Sequence, residues 1–283
     1  MNFILDILRG IVIGVANIIP GVSGGTMMVS MGIYDSIISS INNLFKDFKK
    51  SILTLLPYGI GMVAGIVGFA FAIEWLFGKF PIPTALLFIG LIFGGIPMIW
   101  KKVQGKKDIV AIILFVAFFA LIIGLEFLGR KAGIERELSF SPIGIVIGLL
   151  VGCIAAATMI IPGVSGSMVM IILGYYNSII GSLTGVVTAL KEFDIKGILT
   201  NAGALIPFVL GVLAGIFGVA KIIRYLLDKH ERRTYAAILG LIAASPYPVF
   251  AHSGVTSVSA GAVIIGIITF AVGFVAAFKL GKE

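Results

Sequence analysis

One phrase occurs twice in this chain, 142 residues apart, and each copy interrupts an apolar run. Residues 18–38 read IIPGVSGGTMMVSMGIYDSII, and residues 160–180 read IIPGVSGSMVMIILGYYNSII. Both keep Pro-Gly-Val-Ser-Gly, a Gly eight residues beyond its last Gly, a Tyr two further on, and a closing Ser-Ile-Ile. Proline removes an N–H and glycine tolerates positive φ, so each copy reads as two helical pieces joined by a Gly-rich turn. The surroundings are of membrane grade: 59% of residues are hydrophobic and 12% charged, against about 25% charged in a soluble domain. Broken backbone at membrane depth survives only when it is buried in protein or lines a wet cavity. The expected fold is therefore an all-α polytopic membrane protein with two broken helices held inside it.

Uniform apolar runs lie at about 52–77, 84–100, 108–128, 203–227, 234–250 and 258–278. Each has roughly the 17–25 residues that cross a hydrocarbon core of about 30 Å. The duplication extends into these runs. Pro57, Gly61, Ala64, Gly65, Ile66 and Gly68 match Pro207, Gly211, Ala214, Gly215, Ile216 and Gly218 at an offset of 150, and Gly90-Leu91-Ile92 matches Gly240-Leu241-Ile242. Residues 1–140 form a first repeat and 141–283 a second, together one transmembrane domain. Each repeat holds a broken helix pair followed by three transmembrane helices. Repeats of this kind belong to transporters that bind substrate where the repeats meet. The run at 3–19 carries Asp6 and Arg9 and ends in Pro-Gly rather than a small-x-small cleavage site, so it is expected to be retained.

The positions of Lys and Arg distinguish two topologies. If each broken pair returns to its starting side, fifteen basic residues fall on one side and six on the other. If each pair crosses once, the split is 12 against 9. The positive-inside rule prefers the first arrangement, with both termini cytoplasmic and the two repeats inverted. The Pro, Gly and polar residues at each break favour re-entrant hairpins. The net charge of +8 thus reads as an orientation signal in a multi-pass cell-membrane protein, and no nucleic-acid partner is expected. Trp75 and Trp100 sit at run ends as interfacial anchors. His230 and His252 fall in expected loops without metal spacing. Cys153 lies in an apolar run as a packing residue.

A helix beginning after each break offers unpaired N–H groups and a positive dipole end, which suit an anion. Ser and Thr hydroxyls add donors, and glycine allows close approach. Asn17, Ser23, Gly24, Gly25, Thr26, Ser165, Gly166 and Ser167 are the candidate substrate-binding residues. Arg9, on the first broken helix, is the candidate cationic partner. The plain alternative is an ordinary N-cap, since serine favours that position; duplication at equivalent places favours a site. Other ionisable residues in apolar surroundings default to functional hypotheses. Asp35, Glu74, Glu126 and Arg224 are the candidates for ion coupling or pairing, Glu74 and Arg224 at matching repeat positions. No Walker A sequence follows either Gly-rich break, and no metal or cofactor is expected.

At Asn17-Ile18-Ile19-Pro20-Gly21-Val22-Ser23-Gly24-Gly25-Thr26 and Ile161-Pro162-Gly163-Val164-Ser165-Gly166-Ser167 the chain resembles the polyprenyl-phosphate translocases, undecaprenyl-phosphate flippases of the PopT type. The resemblance covers the chain in length, repeat layout and helix count. It implies return of a lipid carrier phosphate from the outer to the cytoplasmic leaflet for envelope polymer synthesis, by a protein that is not an enzyme. Such a substrate needs an anion-binding pocket at membrane depth, open sideways to lipid. A proton or another ion could drive the movement.

Two rivals follow from the same residues. A small-anion transporter or channel would also aim helix N-termini at a midplane anion. A membrane polyprenyl-pyrophosphate phosphatase can carry a Pro-Gly-x-Ser loop, but it wants a cation in that loop and paired acidic groups. Here Ser23 and Ser165 are each followed by glycine.

Overall fold

The computed structural model describes residues 3–19, 22–105, 108–131 and 135–281, with the side chains of Arg130 and Lys131 left out. Pro20 and Gly21 of the first phrase, and Lys106, Lys107 and Lys282 of the charge count, lie outside the described residues. The described elements are helices: α1 (Phe3–Ile18), α2 (Gly24–Ser30), α3 (Tyr34–Asn42), α4 (Phe48–Lys79), α5 (Pro81–Val103), α6 (Ile109–Lys131), α7 (Pro142–Ile160), α8 (Gly166–Leu173), α9 (Tyr176–Lys191), α10 (Ile195–Ala244), α11 (Pro246–Ala251) and α12 (Ala260–Leu280). Pro81, Pro142 and Pro246 open α5, α7 and α11, where a missing N–H costs nothing. Among the described residues six segments are long and apolar enough to cross a membrane: α4, α5, α6, α7, α10 with α11, and α12. Phe71 and Val67 on α4 are among many large apolar side chains left exposed, as lipid-facing helices require. The protein is a polytopic helical membrane protein.

The runs expected at 203–227 and 234–250 are the two arms of α10 and its extension. His230, placed in a loop by the sequence, sits inside α10 with φ −138° and ψ 43°, the point where the helix breaks. His252 terminates α11.

Contacts divide the chain into two compact units. Unit 1 comprises 1–123, 161–165 and 220–283; unit 2 comprises 124–160 and 166–219. The same glycine contact is built in each. In unit 1 a Cβ on Gly61 would overlap the Ile7 carbonyl, and one on Gly10 the Tyr58 carbonyl. In unit 2 a Cβ on Gly211 would overlap the Leu149 carbonyl, and one on Gly152 the Phe208 carbonyl. Each residue in the second set is the repeat equivalent of one in the first. Small residues here let two helix backbones touch in a medium that offers no hydrophobic driving force. Cys153 joins this seam, its Sγ 3.2 Å from the Gly211 carbonyl oxygen. A second matched contact lies within unit 1. Gly90 of α5 abuts the Phe270 carbonyl of α12, and its equivalent Gly240 of α10 abuts the Phe115 carbonyl of α6.

Unit 1 is pinned by polar contacts at one end. Lys102 Nζ bonds Glu231 Oε1 at 2.6 Å, Arg232 Nε donates to the Val103 carbonyl at 2.7 Å, and Arg233 Nε donates to Asp108 Oδ2 at 3.0 Å. Asp108 also caps α6, its Oδ1 accepting from Val110 N and Ala111 N. The Arg233 hydrogen bond holds the Asp108 carboxyl below its ordinary range. Unit 2 packs Leu138, Val151, Ala155, Met170, Tyr175 and Ala204 into its core.

Candidate functional site

Each duplicated phrase folds into two turns, not one. The first turn is the expected break. Ser23 takes the N-cap position of α2 with φ −114° and ψ 134°, yet its hydroxyl makes no capping bond. The cap comes from the preceding helix: Asn17 Oδ1 accepts from Gly24 N at 3.0 Å. A Cβ on Gly24 would stand 2.6 Å from that oxygen, so a larger residue would displace the Asn17 side chain and its cap. In the second copy a different polar side chain stands beside the helix start, its hydroxyl donating to the Ala155 carbonyl at 2.7 Å. Thr158, near the end of α7, lies against Gly166, a Cβ there meeting Thr158 Oγ1 at 3.0 Å.

The second turn explains the repeated Gly that followed the phrase. Gly32 and Gly174 have φ of +68° and +82°. Gly32 N bonds the Val29 carbonyl and Ile33 N the Met28 carbonyl; Gly174 N bonds the Ile171 carbonyl and Tyr175 N the Met170 carbonyl, all at 3.0 Å. This double pattern is a Schellman C-cap, which a left-handed glycine closes. It limits α2 to seven residues and α8 to eight. The following helices are α3 and α9, and α8 meets α9 at a bend of 105°.

The first broken helix returns to its starting end. Arg9 NH2, in the early turns of α1, donates to the Leu280 carbonyl at 2.7 Å. At the far end of the pair, a Cβ on the neighbouring Gly281 would lie 3.2 Å from the Ser30 carbonyl oxygen. So α1 leaves, and α2 arrives, beside the last residues of α12, which is the course of a hairpin.

Within unit 1 the two breaks meet. Gly163 of the second phrase donates its N–H to Thr26 Oγ1 of the first at 2.7 Å. Gly163 has φ +79°, and a Cβ on it would press on the Leu241 carbonyl at 2.8 Å. Ser23, Gly24, Gly25, Thr26 and Ser165 are all buried, whereas Asn17 and Ser167 are exposed and Gly166 is partly so. The groups gathered here are hydroxyls, an amide and backbone N–H groups.

The charged candidates lie elsewhere. Arg9 is eight residues before Asn17, about 12 Å along the helix axis. Its NH1 pairs with Asp6 Oδ1 at 3.2 Å, and Tyr58 OH donates to the same oxygen at 2.8 Å. Asp35, on α3, accepts from Tyr235 OH at 2.6 Å. Arg224 pairs with Asp228 four residues on, Glu74 is exposed on α4, and Glu126 is buried on α6. Among the described residues no group of three or more His, Cys, Asp or Glu could hold a metal ion. Sequence reasoning missed Thr158, Tyr58 and Tyr235. The latter two are hydrophobic-run tyrosines with nothing local to announce a carboxylate partner 52 and 200 residues away.

Two buried helix breaks joined by a hydrogen bond, within apolar helices of membrane length, define a discontinuous-helix membrane protein of the kind that carries solutes. The chain belongs to the undecaprenyl phosphate translocase-like family, which matches residues 13–266. It is 30% identical over 284 residues to a polyprenyl-phosphate transporter of Staphylococcus aureus (strain NCTC 8325 / PS 47), covering 98% of this chain and 96% of that one. It is 28% identical over 256 residues to a polyprenyl-phosphate transporter of Vibrio cholerae serotype O1 (strain ATCC 39315 / El Tor Inaba N16961), covering 86% and 76%. No solved structure matches it.

Proposed function

We propose that this protein transports a polyprenyl phosphate, of the undecaprenyl type, from the outer to the cytoplasmic leaflet, returning the carrier for cell-envelope polymer synthesis. The observation that carries the reading is the Gly163–Thr26 hydrogen bond, which brings the two broken phrases to one buried place. The relatives named as polyprenyl-phosphate transporters support the substrate. In this reading Ser23, Gly24, Gly25, Thr26 and Ser165 hold the phosphate, with Asn17 at the rim and Gly166 and Ser167 next in the chain. Neutral hydroxyl and N–H donors suit a substrate that must be released as readily as it is bound. Arg9, its charge met by Asp6, steadies α1 rather than touching the phosphate. The two repeats are inverted, the protein resides in the cell membrane with both termini cytoplasmic, and its task is carriage rather than catalysis.

The test is native mass spectrometry of the purified protein with a polyprenyl phosphate, competed by the neutral prenol and by inorganic phosphate. The expected result is binding that needs both tail and phosphate, lost in the Ser23→Leu/Ser165→Leu double variant. Binding of inorganic phosphate alone would turn the assignment to a small-anion transporter. Undiminished lipid binding by the double variant would remove the site.

A further inference from the structure

A second polar place lies at the other end of α2. A cavity of about 190 Å³ is lined by Val29, Gly32, Tyr34, Asp35, Lys102 and Tyr235, with Met98 and Ile99 as its apolar wall. All belong to unit 1. Tyr34 is 2% exposed, and its hydroxyl has no hydrogen-bond partner among the described residues. Asp35 Oδ2 takes the Tyr235 hydroxyl, while Oδ1 is buried with no partner. Its one hydrogen-bond donor is neutral, and Lys102 in the same lining acts on it through space without a hydrogen bond; buried charges are normally paired or bound to a cation.

Among the described residues, the nearby cations Lys102, Arg232 and Arg233 are engaged. Lys102 bonds Glu231 at 2.6 Å, with its ammonium 5.4 Å from the centre of the Tyr235 ring. Arg232 is held by the Val103 carbonyl and Arg233 by Asp108. With Lys102 and Glu231 cancelling, the lining keeps the single negative charge of Asp35. The C-terminal end of α2 adds to it, since helix C-termini carry partial negative charge and discontinuous helices aim them at cations. An anion here would meet Asp35 directly. The volume admits an ion with a few waters at roughly 30 Å³ each.

We propose that this cavity binds a small monovalent cation, with Asp35 Oδ1 and the Tyr34 hydroxyl oxygen as ligands and water completing the shell. Carboxylate, hydroxyl and water oxygens suit a hard cation such as sodium. Because α2 carries Ser23–Thr26 at one end and this cavity at the other, about 10 Å apart at 1.5 Å per residue, ion occupancy also biases the position of the first break. That coupling rests on the lipid-phosphate reading; the ion site does not.

The experiment uses the full chain in detergent without lipid substrate. Thermal unfolding is followed as choline chloride is replaced by sodium chloride at constant ionic strength, for the unaltered protein, Asp35→Asn and Tyr34→Phe. A ligand bound only by the folded state raises the midpoint, by roughly 5–10 °C at 100 times Kd for a chain of this size. The expected result is a sodium-specific rise that is absent in Asp35→Asn and reduced in Tyr34→Phe. Tyr34→Phe keeps the buried ring, so it serves if the Asp35 variant does not fold. No sodium-specific rise in the unaltered protein, or an equal rise in the variants, overturns the site. A response to pH alone overturns the metal-ion assignment. Since no lipid is present, failure here leaves the lipid reading standing, and failure of lipid binding leaves this site standing.

Discussion

The hydrogen bond from Gly163 to Thr26 concentrates several constraints on two residues. Gly163 sits at positive φ with the Leu241 carbonyl where a Cβ would stand, so Gly163→Ala adds both backbone strain and overlap. That substitution should cost about 1–3 kcal/mol. Thr26→Val keeps the shape but leaves a buried N–H without an acceptor, which costs about 1–3 kcal/mol, while Thr26→Ser should restore most of it. Thermal unfolding in detergent reads all three, and a Thr26→Val protein as stable as the parent would deny the bond any structural weight. The phrase itself announced Ser23, Gly24 and Thr26 because it is repeated. It could not announce Thr158, because the side chains beside the two helix starts are out of step: the repeat equivalent of Asn17 is Met159, and that of Thr158 is Ala16. Nor could the sequence show that Arg9 bonds the Leu280 carbonyl 271 residues away.

At the scale of elements, glycine spacing carried most of the information. The 150-residue offset paired Gly61 with Gly211, and each is the point where two helix backbones touch. Leucine at either position must separate its helix pair, and overpacking of this kind costs typically about 1–3 kcal/mol or more. Gly61→Leu and Gly211→Leu should therefore both lower the unfolding midpoint, whereas leucine at Gly68 or Gly218, where a Cβ meets nothing, should not. Equal effects at all four positions would contradict the seam. The second turn at Gly32 and Gly174 was visible only as an unexplained conserved spacing between copies, because a C-cap glycine resembles any other glycine in an apolar run. The loop expected at His230 shrinks to a single-residue kink: the charged stretch reads as a loop, whereas only His230 leaves helical φ/ψ. Asp108 supplies a pH test. Its lowered pKa gives stability that is present above the unfolded value and lost as pH falls through the folded one. The parent should lose stability below about pH 4 more steeply than Asp108→Asn, which keeps a capping oxygen but not the ion pair. Identical acid profiles would remove Asp108 from that account.

For the whole molecule the open matter is topology, and the polar end of unit 1 bears on it. The arrangement in which each broken pair crosses once places Lys101 and Lys102 on the opposite side from Arg232 and Arg233. The arrangement in which each pair returns places them together. Lys102 bonds Glu231, and Arg233 bonds Asp108, so these basic residues share one end. The hairpin course of α1 and α2 beside Gly281 points the same way. The positive-inside rule predicts that this end is cytoplasmic and that the first repeat enters from the side opposite to the second. The prediction can be read with single cysteines in a Cys153→Ala background, labelled in intact cells by a membrane-impermeant thiol reagent. Lys50→Cys and Lys229→Cys should both be protected until the cells are opened, and Lys79→Cys should react from outside. The pair Lys50 and Lys229 decides for the second broken helix, because only a returning second pair puts them on one side. Labelling of one from outside and protection of the other would replace the second hairpin with a single crossing.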